Sequence, residues 1–134
     1  MSLKHKIKHI FLVDDEVITL NLGRAVLQQK YIVTPLQSGE KLLSLLEDVK
    51  PDLILLDVIM PGMCGYDAIR EIKANSRVSD IPVVFLSGKS EAESELLGLS
   101  LGAVDYIKKP FSPKLLLKRL EMHLSPIARK WLST

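Results

Sequence analysis

The chain has 134 residues and a formal charge of +2, with 18 lysines and arginines against 16 acids; that is the size of one domain and a balance too even to mark nucleic acid or a membrane surface as a partner. Leu, Ile, Val and Phe make up more than a third of the residues, which excludes an intrinsically disordered chain and predicts a packed core that needs no staple. The single cysteine, Cys64, excludes an internal disulfide and a multi-cysteine zinc site and fits a reducing, cytoplasmic setting, and no apolar run approaches the ~18 residues of a membrane span.

Residues 1–6 read as a tail or cloning scar, and Lys4, His5, Lys6, Lys8 and His9 as a small solvated basic cluster. Ile10–Val13 predicts a first strand, followed by a helix whose apolar stripe is Ile18, Leu22, Ala25 and Val26. Tyr31–Val33 predicts a second strand, with Pro35 near its end, a residue tolerated at a sheet edge. Ser38 caps a second helix with Glu40 in its first turn and Leu42, Leu43, Leu45, Leu46 and Val49 as its apolar residues. Leu53–Leu56 is a third strand, and Ala68, Ile69 and Ile72 mark a third helix after Gly65. Val83–Leu86 is a fourth strand, and Leu96, Leu97 and Leu101 mark a fourth helix ended by Gly102. Val104–Ile107 is a fifth strand, and a last helix starts after Ser112 with Pro113 at its first position and Leu117, Leu120 and Leu124 as its stripe. Residues 125–134 extend that helix or begin a linker to an output domain, with Pro126 favouring a break.

Three of the strand runs are four apolar residues without alternation, so they are covered on both faces, as in a parallel sheet. Five strands each followed by a helix make a (βα)₅ α/β domain with right-handed crossovers. In such a sheet all strand carboxyl ends lie along one edge, where ligands bind. Asp14, Asp15 and Glu16 follow the first strand, Asp57 the third, Ser87 the fourth, and Lys109 the fifth. Taken singly, each has an ordinary explanation as a helix cap, turn former or surface cation. Jointly, residues up to 95 positions apart converge on one edge. Clustered carboxylates repel and call for a cation. With no His or Cys nearby, the donors suit Mg²⁺. A divalent ion and Lys109 form a positive template for a phosphoryl group. Asp57, alone on its strand while Asp14 and Asp15 come as a metal-binding pair, is the candidate nucleophile.

At these residues the chain resembles the receiver domain of two-component response regulators. The resemblance covers residues 7–124 and is carried by Leu12-Val13-Asp14-Asp15-Glu16, Leu55-Leu56-Asp57-Val58-Ile59-Met60-Pro61-Gly62-Met63 with Gly65, Ser87-Gly88, and Asp105-Tyr106-Ile107-Lys108-Lys109-Pro110-Phe111. It implies a flavodoxin-like doubly wound sheet of order 2-1-3-4-5. It further implies that a sensor histidine kinase or phosphotransfer protein phosphorylates Asp57. Mg²⁺ would be held by Asp15, Asp57 and the Ile59 backbone carbonyl, with Asp14 acting through water. Lys109 would pair with the phosphoryl oxygens, and the Lys109–Pro110 bond would be cis. Ser87 would bind the phosphoryl group and Tyr106 would be the switching aromatic. The surface of the fourth helix, fifth strand and fifth helix would then control an output domain or partner, and the resemblance allows a homodimer through the same face. On this reading the chain is a signalling domain that catalyses only its own phosphoryl uptake and loss. The segment from Phe111 to Leu124 resembles receivers joined to cyclic-di-nucleotide enzymes or hybrid kinases.

Departures from the family pattern are few. Ser87 stands where Thr is more frequent, and Cys64 replaces the acid usual before Gly65. Two alternatives stay open: a phosphorylation-independent protein-binding module, and an Mg²⁺-dependent aspartyl phosphatase, which usually carries a second acid where this chain has Ile59. A nucleotide-binding loop at Ser87-Gly88-Lys89-Ser90 fits poorly, because the glycine it needs five residues before Gly88 is Val83.

Overall fold

The computed structural model describes residues 6–88 and 92–125. The basic cluster up to His5, residues Lys89 to Glu91 and the stretch after Ser125, including Trp131, lie outside the described residues. The elements alternate as β1 (His9–Val13), α1 (Val17–Leu27), β2 (Ile32–Leu36), α2 (Gly39–Leu46), β3 (Leu53–Leu56), α3 (Gly65–Ala74), β4 (Val83–Ser87), α4 (Ala92–Ser100), β5 (Asp105–Lys108) and α5 (Pro113–Leu124). All strand pairs are parallel and the sheet order is β2-β1-β3-β4-β5. Among the described residues, no helix is long and apolar enough to cross a membrane.

The three alternation-free runs are the three inner strands, and their apolar residues are buried on both faces. Successive side chains point to opposite faces of a strand. Phe11, Val13, Ile54, Leu56, Val83 and Phe85 therefore pack with Leu42, Leu46, Ile69 and Ile72 of α2 and α3. Ile10, Leu12, Leu53, Leu55, Val84 and Leu86 pack with Leu20, Leu27, Leu116, Leu120 and Leu124 of α1 and α5. Pro35 lies within β2 rather than at its end, and β2 is an edge strand. β2 runs three residues further than the sequence indicates, and β5 starts one residue later. The caps form as expected: the Ser38 hydroxyl accepts from the Lys41 N–H at 3.1 Å, and Ser112 caps α5 with Pro113 behind it.

Three helix faces differ from the expected stripes. α1 buries Leu20, Gly23 and Leu27, and leaves Ile18 and Leu22 exposed at 77% and 58%. α4 buries Gly98 and exposes Leu96 and Leu97. In α5, Leu116 takes the buried place expected of Leu117, with Leu120 and Leu124 as expected. Glycines decide the first two. A Cβ on Gly23 would come 3.0 Å from a Leu12 methyl, and one on Gly98 would come 2.9 Å from the Phe85 ring. Each helix thus turns its smallest residue to the sheet and lies close to it.

Candidate functional site

Parallel register builds the pocket. Val13 is in register with Leu56, so the next residues, Asp14 and Asp57, leave the sheet side by side. The Asp14 N–H donates to the Leu36 carbonyl at 3.0 Å and the Asp57 N–H to the Val13 carbonyl at 2.9 Å. Ser87 pairs with Lys108 at the ends of β4 and β5, and the Lys109 N–H donates to the Ser87 carbonyl at 2.8 Å. The Lys109–Pro110 peptide is cis. Gly65 holds the loop after β3 in place: its N–H donates to the Val58 carbonyl at 2.7 Å, and a Cβ there would sit 2.3 Å from the Asp57 carbonyl oxygen. Only glycine fits.

Asp14, Asp57 and Ser87 are the buried polar or charged residues at this edge. The Lys109 ammonium lies 2.7 Å from Asp14, 3.4 Å from Asp57 and 3.9 Å from Glu16. Burial, reinforced by the charge of Asp14, pushes the Asp57 carboxyl up to about 6, with Lys109 pulling the other way. Burial disfavours the Lys109 charge, but its hydrogen bond to Asp14 and the charge of Asp57 hold it above the ordinary lysine range. One cation is shared among too many acids, and Asp57 carries the deficit.

The carboxylates of Asp14, Glu16 and Asp57 each offer an oxygen within 4.8 Å of the others. Asp15, expected as a ligand, is half-buried and outside that group, while Glu16, to which the sequence pattern gives no role, is inside it. The signal for Glu16 is its position two residues after Asp14: its N–H donates to the Asp14 carboxylate at 2.9 Å, which turns the chain back over the pocket. The donors are hard oxygens, and among the described residues the three carboxylates outnumber the ammonium that faces them. That set fits a divalent, oxygen-preferring ion such as Mg²⁺.

Tyr106 is buried, its ring 6.1 Å from that of Phe85 and packed over Gly98. Beside the pocket an open groove of about 460 Å³ runs between α1 and α5, lined by Glu16, Thr19, Leu22, Val26 and Lys109 to Phe111. Away from the pocket, Asp105 takes the Arg119 guanidinium in two hydrogen bonds and the His123 ring at 3.0 Å. Burial opposes the Asp105 charge, yet those partners hold its carboxyl well below the usual range.

The family model for the response regulator receiver domain matches residues 10–121. The chain belongs to the response regulator receiver domain family. A Vibrio cholerae protein named as a probable cyclic di-GMP phosphodiesterase is 44% identical over 115 residues, which is 86% of this chain and 26% of that protein. The Pseudomonas aeruginosa phosphate regulon regulator PhoB is 37% identical over 85% of this chain and 50% of its own length. This receiver therefore spans about a quarter to a half of the curated relatives it matches. Among solved structures, the BeF3-activated receiver domain of DrrB, from Thermotoga maritima, superposes with a TM-score of 0.80 at 34% identity, over 89% of this chain and 98% of that one. The V. cholerae chemotaxis regulator CheY4 gives 0.83 at 28% identity, over 89% and 100%. The doubly wound fold expected from the sequence is thus the observed one. Phosphorylation-dependent switching and Mg²⁺ binding at an acidic pocket are typical of the family.

Proposed function

We propose that this receiver, working in the cytoplasm, takes a phosphoryl group onto Asp57 from a histidine kinase or phosphotransfer protein and passes the signal through the α4–β5–α5 face. The observation that carries the reading is the Lys109 ammonium set between Asp14 and Asp57 at 2.7 and 3.4 Å, at the edge of the sheet. With a carboxyl near 6, Asp57 is mostly ionised at neutral pH and available to attack phosphorus. An Asp57 oxygen bonds to phosphorus as the bond to the donor nitrogen breaks, and the donor imidazole leaves with the electron pair. Lys109 moves from Asp14 and Asp57 to the new phosphoryl oxygens, and the Ser87 hydroxyl donates to another of them. Asp15, Asp57 and the Ile59 carbonyl, with Asp14 through water, are the residues that would hold Mg²⁺. When bound, the ion supplies charge neutralisation for the transferring group.

The donor docks over the pocket mouth, where Val17, Ile18 and Leu22 of α1 are exposed beside the groove. As Ser87 is drawn to the phosphoryl group, Tyr106 moves and re-packs α4 against β5 and α5. That face exposes Leu96, Leu99, Val104 and Leu115 around a groove lined by Glu95, Tyr106, Phe111 and Arg119, which suits an output domain, a partner or a second copy. The V. cholerae relative favours cyclic di-GMP turnover as the process controlled. Residues 7–124 form the signalling unit, and its own chemistry is limited to phosphoryl uptake and loss.

Incubation with Mg²⁺ and acetyl phosphate should add one phosphate, read by intact mass, and Asp57→Asn should abolish the addition. Undiminished labelling of that variant refutes the assignment of Asp57. Continuous phosphate release from an added monoester would instead point to a phosphatase.

A further inference from the structure

We propose that Glu16 belongs to the carboxylate set of the divalent-ion site, adding a charge to the residues the family pattern supplies. The inference rests on the reading of the pocket as an ion and phosphoryl site. Three features of Glu16 carry it.

Its backbone is fixed beside the pocket: the N–H is held by the Asp14 carboxylate at 2.9 Å and the carbonyl accepts from the Leu20 N–H at 2.9 Å. Glu16 is the cap residue of α1, yet its side chain makes no capping hydrogen bond. Its carboxylate is therefore not held on the free N–H groups of the helix start. It lies over the pocket instead, 3.9 Å from the Lys109 ammonium and with an oxygen within 4.8 Å of oxygens of Asp14 and Asp57.

The charge balance makes that placement consequential. Lys109 is already engaged by Asp14 and Asp57 at shorter distances, so it does not neutralise Glu16 as well. Among the described residues the carboxylates at this edge, Asp14, Glu16 and Asp57 with Asp15 beside them, outnumber the ammonium of Lys109, so the site carries surplus negative charge that a divalent ion can take up. Asp14 and Asp57 are buried, whereas the Glu16 side chain is 67% exposed. It stands where a hydrated ion enters and can meet the ion's water shell from the solvent side. Mg²⁺ keeps several of its waters when bound, so an exposed carboxylate acting on that shell adds affinity without displacing an inner ligand.

The test is calorimetric titration of the whole chain with MgCl₂, comparing wild type with Glu16→Gln, which keeps shape and removes charge. Affinity should fall about tenfold in the variant, the scale of one charge a few ångströms from a divalent ion at near-aqueous dielectric. Part of the loss should persist in 0.5 M KCl, where the screening length of about 4 Å is close to the distance across the ion's water shell and more distant charges no longer count. The melting temperature of the ion-free variant should stay within a few degrees of wild type, showing that it folds. Equal affinity of the two proteins, with wild type still accepting phosphate from acetyl phosphate, overturns the inference and leaves the ion site intact. A loss that vanishes in high salt also overturns it, assigning Glu16 a diffuse field effect only. Failure of wild type to bind the ion or take up phosphate overturns the pocket reading and this inference together.

Discussion

Two clusters among the described residues set buried carboxylates against nitrogen donors, in opposite ratios. At the carboxyl ends of β1 and β3, Asp14, Asp57 and Glu16 share the single ammonium of Lys109. At the amino end of β5, the single carboxylate of Asp105 takes both Arg119 and His123. Both aspartates are largely withdrawn from water, and burial works against the charge of each. Their carboxyls nevertheless move in opposite directions, Asp57 up to about 6 and Asp105 well below the usual range. The number of nitrogen donors in reach, not the depth of burial, decides the sign. The first cluster is short of positive charge and so suits an incoming divalent cation. The second is already complete and serves to fasten α5 to β5.

Removing each aspartate should therefore have opposite consequences. Asp105→Ala leaves a guanidinium that is 34% exposed and a largely buried imidazole without their acceptor, and should cost about 2 kcal/mol by urea denaturation. Asp57→Asn should stabilise the ion-free protein by about 2 kcal/mol, because it removes a charge that burial and the neighbouring Asp14 make costly to keep. A loss of stability in Asp57→Asn would break the comparison, since it would make the two carboxylates equivalent.

The same contrast has a pH signature. The Asp57 carboxyl is raised, so the native state binds a proton more readily than the unfolded chain. Its penalty is absent below the unfolded value near 4, develops as pH rises to about 6, and persists above that. The Asp105 carboxyl is depressed, so its stabilisation is present above about 4 and is lost as pH falls below the unfolded value. Denaturation of ion-free protein between about pH 3 and pH 7 should show both limbs. Asp57→Asn should flatten the decline between about 4 and 6 and leave the acid limb, while Asp105→Asn should do the reverse.

Particular residues show how much of this is legible in the sequence. Asp14, Asp57, Ser87 and Lys109 can be placed together because each follows an apolar run, and parallel register brings such residues to one edge whatever their separation in sequence. The stripe of α1 cannot be read in the same way. That helix is apolar on more than one face, and the choice between Ile18–Leu22 and Leu20–Leu27 is made by Gly23 meeting Leu12 on the sheet face it covers. Glu16 escapes notice because Asp14 and Asp15 before it already read as the metal-binding pair, and its turn towards Lys109 depends on tertiary placement. The Asp105 cluster does leave a trace in the sequence: Arg119 and His123 are four apart, hence on one face of α5, opposite the first residue of β5.

The smallest expected effect asks whether Asp105 needs both of its partners. His123→Leu keeps an apolar body in a place that is only 13% exposed and removes one hydrogen bond, leaving the Arg119 guanidinium on the carboxylate. The loss should be about 1 kcal/mol, the value of one hydrogen bond to a charged group less the gain from burying the leucine. The acid limb of the stability profile should survive, because Arg119 alone keeps the carboxyl depressed. A loss as large as that of Asp105→Ala, or an acid limb that disappears, would mean that the imidazole and not the guanidinium holds Asp105. The second cluster would then consist of one acid and one effective donor, and its difference from the pocket would rest on the surplus of acids around Lys109 alone.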